Sequence, residues 1–119
     1  YAQERRQFGQ RICSFQSVRH MLVEVQTKLA MARLLLYKGC WLADNDLPCS
    51  VETSMAKMQV CELGLEIVLT CQKILGAYGY ARGFDMERYV RDMLLMPIIG
   101  GSTAIQKNNI ANRMGLPKA

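Results

Sequence analysis

The chain of 119 residues contains one histidine, His20, one tryptophan and three prolines. With a single imidazole and five cysteines (Cys13, Cys40, Cys49, Cys61, Cys71) that form no CxxC pair, it lacks the ligand spacing of a zinc site, and no metal is expected. An odd number of cysteines set among leucine, valine and isoleucine reads as small buried hydrophobes of a reducing compartment, not as a disulfide framework. His20 has no acid or nucleophile at a spacing that makes a dyad and is expected to pack as an ordinary histidine, as the eight methionines are. No apolar run approaches the roughly 18 to 20 residues of a membrane span. Arg33, Lys38, Glu62 and Glu66 break the longest ones, which excludes a membrane-spanning helix. Tyr1 to Arg11 offer neither an initiator methionine nor the apolar core of a signal peptide, so the sequence reads as a piece of something longer that opens within a helix.

Half of the residues are apolar and 21% are charged, a composition that buries one hydrophobic core. The net charge of +5 lies at the two ends. Arg5, Arg6, Arg11 and Arg19 face only Glu4 in the first twenty residues, and Lys107, Arg113 and Lys118 stand in an acid-free segment after Met93. A nucleic-acid site would require a denser basic face with a reading helix or exposed aromatics, so no nucleic-acid partner is expected. So modest an excess suits a small anionic ligand such as a nucleotide, for which one or two arginines near a helix end suffice.

Apolar side chains recur at helical spacing from residue 16 to 42, with Met21, Leu22, Val25, Leu29, Ala32 and Leu36 as the stripe. Asp44-Asn45-Asp46-Leu47-Pro48 ends this helix. Ser50 is the expected N-cap of a second helix over Val51 to Leu75, apolar on nearly every side around Ile67 to Cys71 and therefore surrounded by other helices. Gly76-Ala77-Tyr78-Gly79 closes it. A third helix starts near Asp85 and ends at Pro97. Gly100-Gly101-Ser102-Thr103 delivers a hydroxyl N-cap to a last helix over Ala104 to Arg113, closed by Gly115 and Pro117. The expected fold is all-α: an antiparallel four-helix bundle of up-and-down type, without strands.

Three segments carry candidate chemistry. Glu4-Arg5-Arg6-Gln7-Phe8-Gly9 presents guanidinium groups beside an aromatic where a helix breaks. Ile74-Leu75-Gly76-Ala77-Tyr78-Gly79 allows close backbone approach to a ligand. At Gly100-Gly101-Ser102-Thr103, free N–H groups at a helix start make an anion-favouring site. Each alone also suits an ordinary helix end or cap. Their order and spacing, together with Phe15-Gln16, Ser54-Met55-Ala56-Lys57, Glu87-Arg88-Tyr89-Val90-Arg91-Asp92 and Ala104-Ile105-Gln106, resemble the C-terminal helical domain of the acyl-CoA dehydrogenase family over the whole chain, residues 1–119.

The resemblance implies one domain of a longer three-domain flavoprotein that oxidises acyl-CoA to 2,3-enoyl-CoA, with FAD as cofactor, acyl-CoA as substrate and an electron-transferring flavoprotein as partner. It implies a homo-oligomer, dimer or tetramer, in which FAD crosses a subunit boundary, in bacterial cytoplasm or mitochondrial matrix. Arg5 would meet the FAD pyrophosphate, Phe8 and Gln16 the adenine end, Gly76 the dinucleotide of a neighbouring subunit, and Ser102 the cofactor at the head of the last helix. Gly101 would sit beside the acyl thioester. The chain departs from many members at Lys73, Ala77 and Ala104, which weakens the flavin contacts expected there. Gly100 occupies the position of the usual catalytic glutamate, so no catalytic residue is assigned; a subset of the family with glycine here takes its carboxylate from an earlier helix. The alternatives are an acyl-CoA oxidase relative and a non-catalytic helical interaction module.

Overall fold

The computed structural model describes residues 1–117; Lys118, one of the basic residues near the C-terminal end, lies outside the described residues. The chain is mostly helical. Its elements are β1 (Arg6–Gln7), β2 (Gln10–Arg11), α1 (Gln16–Asp44), α2 (Ser50–Leu75), α3 (Ala77–Tyr80), α4 (Met86–Leu95) and α5 (Thr103–Arg113).

The N-terminal segment corrects the expectation of a breaking helix and of a strand-free fold. Arg6 pairs with Arg11 and Gln7 with Gln10 in a minimal antiparallel hairpin. Its turn residues, Phe8 and Gly9, both have positive φ (52° and 78°), the conformation of the hairpin turn that matches strand twist.

α1 and α2 form an antiparallel pair, with Lys28 bonded to Glu66 at 2.6 Å and Lys38 to Glu52 at 3.4 Å. The inward face of α1 carries Met21, Val25, Leu29, Ala32, Leu35, Gly39 and Leu42, a three-and-four spacing. Leu22 and Leu36, assigned to that stripe from the sequence, are exposed (36% and 44%), as are Leu34, Tyr37 and Trp41 on the same helix. His20 is exposed on α1 and not packed, and Met31 and Met114 are exposed rather than core.

α2 starts one residue earlier than expected. Cys49, not Ser50, is the N-cap and supplies no side-chain bond; the Thr53 hydroxyl instead donates to the Cys49 carbonyl at 2.9 Å. As its all-round apolar character implies, α2 is the hub, packed against α1, α3, α4 and α5. Where α4 crosses α2, the Met93 side chain sits so close to Gly64 that a β-carbon there would collide with its Cε. Lys57 of α2 reaches Met96 at the end of α4. Ser50 and Ser54 border the same groove as Asn112 and Arg113 at the far end of α5. Both α4 and α5 therefore run antiparallel to α2 and follow one another along it, an arrangement different from the up-and-down order expected of four helices.

Glycines close two of the helices. Gly76 adopts φ 60°, ψ −134°, a backbone conformation essentially confined to glycine, and turns the chain from α2 into α3. α5 closes on Gly115 (φ 74°) with Gly115 N–H bonded to Asn112 and Leu116 N–H to Ala111, the paired bonds of a glycine-terminated helix.

Candidate functional site

Four of the six residues singled out for ligand contact lie at one end of the molecule. Antiparallel pairing of α1 with α2 sets the start of α1, at Gln16, beside the end of α2, at Gly76. There Tyr1, Tyr78 and Phe84 form an aromatic cluster with ring centroids 5.3 to 6.0 Å apart. The Arg5 guanidinium stacks over the Tyr78 ring at 5.9 Å, which holds the fork of donors in place without neutralising it. No acid pairs with Arg5 among the described residues. A groove lined by Tyr1, Glu4, Arg5, Tyr78 and Phe84 opens here. Phe8 stands at the hairpin tip, 91% exposed, with its ring edge-on to Phe15 at 6.1 Å and so next to Gln16. A β-carbon at Gly76 would meet nothing within 4 Å, so that backbone is open to approach.

Gly101 and Ser102 lie elsewhere, beside the middle of α2. The Lys57 side chain passes 3.8 Å from where a β-carbon of Gly100 would stand, and Lys57 and Gly76 are separated along α2 by about 28 Å at a rise of 1.5 Å per residue. Gly100 and Gly101 have φ of 62° and 87°, and Ser102 caps α5 by accepting from the Ile105 N–H at 3.5 Å. The loop is closed by the Thr103 N–H on the Pro97 carbonyl at 3.0 Å. Among the described residues the N–H groups of Gly100, Gly101 and Ser102 have no acceptor. They stand at the positive end of α5, which favours an electron-rich ligand atom. The Ser102 hydroxyl, although it accepts from Ile105, keeps its proton to donate.

Two side chains given no site role from the sequence, although both stand in motifs that carry the family resemblance, hold this loop. Lys57 Nζ donates to the Met96 carbonyl at 2.6 Å, a cation placed on the negative end of α4. Gln106, buried with 8% of its surface exposed, donates through Nε2 to the Gly100 and Gly101 carbonyls at 3.5 and 3.2 Å. Besides its place in the Ala104-Ile105-Gln106 motif, the signal for Gln106 was a polar residue on the same helical face as Thr103 and Ile110. That signal predicts burial but not partners.

Gly101 is favoured by its backbone, and a side chain there would also displace the Gln106 amide. Its φ is left-handed, and an added β-carbon would lie 2.5 Å from Gln106 Nε2. The cradle is thus glycine-shaped, and its outward donors fit a polar cofactor or thioester. Gly100 brings no group that can take up a proton. Among the described residues no three of His, Cys, Asp and Glu come together, and no helix is long and apolar enough to cross a membrane. Burial pushes the Cys71 thiol above its usual range, which keeps it protonated and a poor nucleophile at neutral pH.

Residues 1–115 match the family described as acyl-CoA dehydrogenase, C-terminal domain. The chain belongs to the acyl-CoA dehydrogenase family. It is 38% identical over 114 residues to the caffeyl-CoA reductase–Etf complex subunit CarC of Acetobacterium woodii, covering 96% of this chain and 30% of that protein. It is also 38% identical over 111 residues to the mitochondrial short/branched chain specific acyl-CoA dehydrogenase of Bos taurus, covering 93% and 26%. Among solved structures, the FAD complex of PigA superposes with a TM-score of 0.92 at 30% identity, covering 98% of this chain and 30% of that one. The chain therefore spans less than a third of the length of the relatives it matches.

Proposed function

We propose that these residues are the helical, cofactor-contacting domain of an FAD-dependent acyl-CoA dehydrogenase. The observation that carries the reading is the Gly100–Ser102 loop, with three unaccepted N–H groups and a hydroxyl at the head of α5. When bound, FAD supplies the hydride acceptor for oxidation of an acyl-CoA thioester to its 2,3-enoyl-CoA. The chain's own part is to bind and orient. Gly101 lies beside the thioester, and Ser102 donates its hydroxyl to the cofactor. Arg5, held over Tyr78, takes a pyrophosphate, which its planar fork suits. Phe8 and Gln16 take the adenine end, and Gly76 gives its backbone to the dinucleotide.

The roughly 28 Å along α2 from Lys57, beside the Gly100–Ser102 loop, to Gly76 supports assigning the two clusters to two different cofactor molecules, and hence a homo-oligomer in which Gly76 serves the neighbouring subunit. The many exposed apolar residues of α1 support burial of that face, by a segment that completes a four-helix bundle or by a second subunit. Gly100 removes the base from this loop, so we assign the proton-accepting carboxylate to a part of the intact protein outside these residues. An electron-transferring flavoprotein is the proposed electron partner. Relatives in bacteria and mitochondria support a location in bacterial cytoplasm or the mitochondrial matrix.

The glycine at position 100 also favours a second reading, a family member that keeps the fold and has lost the dehydrogenation. Both readings are tested on the intact protein. Purification with bound flavin and loss of that flavin in Arg5→Ala supports the assigned pyrophosphate contact; unchanged flavin occupancy in Arg5→Ala contradicts it. Rapid reoxidation of the reduced protein by oxygen would assign it to the oxidases instead of the dehydrogenases.

A further inference from the structure

Gln106 is among the few polar side chains that are nearly wholly buried, and a buried amide destabilises the fold unless it is hydrogen-bonded. Its neighbours on the loop side are two carbonyl oxygens, at 3.5 and 3.2 Å, so the amide nitrogen must be the atom that faces them. The peptide units after Gly100 and Gly101 are trans, and in a trans unit the N–H points opposite to the C=O. Turning both carbonyls inward onto Gln106 therefore turns the N–H groups of Gly101 and Ser102 outward, where neither meets an acceptor among the described residues. Two consecutive glycines carry almost no steric preference between the possible orientations. The choice is left to whatever bonds the carbonyls, and that is Gln106.

We propose that Gln106 is a positioning residue, which holds the Gly100–Ser102 loop so that the Gly101 and Ser102 N–H groups face outward as donors to the bound thioester and flavin. The proposal rests on the flavoprotein reading for the identity of the acceptors, but not for the orientation of the loop. Lys57 completes the clamp: by fixing the Met96 carbonyl and passing beside Gly100, it anchors the side of the loop that Gln106 does not reach.

The test uses the intact protein with Gln106→Met and Gln106→Glu. In Gln106→Met, a crystal structure is expected to have at least one of the two glycine carbonyls turned outward, and anaerobic bleaching of the flavin by acyl-CoA is expected to slow about a hundredfold, as misplacement near the chemistry does. In Gln106→Glu the ionised side chain cannot donate, whereas the protonated acid can donate to one carbonyl. Its bleaching rate should recover as pH falls through the carboxyl's titration, a profile the wild type lacks and mere packing would not produce. Both carbonyls still turned inward in Gln106→Met, or in Gln106→Glu crystallised above the carboxyl's titration, or a Gln106→Glu rate that follows the wild-type pH profile, would overturn the proposal. If wild-type flavin is never bleached, the dehydrogenase reading fails, and the loop orientation in the variant structures still decides the role of Gln106. Should Gln106→Met not fold, Gln106→Glu decides by the same two readouts.

Discussion

Gly101 joins three constraints at one position: a left-handed φ, close approach of the Gln106 amide, and an outward-facing N–H. Gly101→Ala is expected to cost about 1 to 3 kcal/mol, seen as a lower unfolding temperature of the intact protein. Gly83→Ala, where a β-carbon meets nothing within 4 Å and φ is not left-handed, should leave that temperature nearly unchanged. Cys71 carries a pH signature. A thiol whose pKa is raised by burial in the folded state contributes stability that is complete below the unfolded thiol's pKa, about 8.5, and is lost as pH rises through the folded value. As pH rises above about 8.5 the wild type should therefore lose more stability than Cys71→Ala, measured by thermal unfolding at each pH. Legibility at this scale divides by distance along the chain. Ser102 and Gly101 could be read because a hydroxyl after two glycines before a helix is a local signal. Lys57 could not, because its partner lies 39 residues away in another helix. His20 was misread because its neighbours on α1, including Leu22 and Val23, are themselves exposed.

Among the elements, α5 and its cap are the pair that sets the site. Ser102→Ala should cost about 0.5 to 1 kcal/mol, toward the low end for an N-cap because the bond to Ile105 is long at 3.5 Å. Its larger effect is expected on flavin retention during gel filtration, through the lost hydroxyl donor. Retained flavin with reduced stability would leave Ser102 a cap and nothing more. The long helices were legible from spacing because α1 and α2 run 29 and 26 residues with strong breakers between them. The hairpin was not. Its strands are two residues long, and the turn puts phenylalanine at a positive-φ position that asparagine, aspartate or glycine usually fills. α3 escaped notice because Gly79 looks like part of a helix stop. In the fold it lets α3 lie against α2, where a β-carbon would come 2.8 Å from the Gln72 carbonyl.

No large side chain in the described residues is fully buried, while Trp41, Tyr37, Leu34, Ile98 and Tyr80 are all more than half exposed. A fold of 58 × 26 × 24 Å built around one central helix has too little interior to cover them. The 119-residue chain by itself is accordingly expected to bind FAD at least tenfold more weakly than the intact protein, as fluorescence quenching on FAD titration would measure; equal affinities would mean that the described residues hold the whole cofactor site. The intact protein should sediment as a dimer or tetramer, and a monomer that retains flavin would contradict the assignment of Gly76 to a neighbouring subunit. How α4 and α5 line up along α2 was not legible, because the sequence marks helix ends but not which helix each end meets. The central claim is the chemistry. Anaerobic addition of acyl-CoAs of several chain lengths and branching patterns to the intact protein should bleach its oxidised-flavin absorbance with at least one of them, which would place a proton-accepting carboxylate outside residues 1–119. A flavin that binds but is bleached by none would contradict the dehydrogenase reading and make Gly100 the mark of a lost activity.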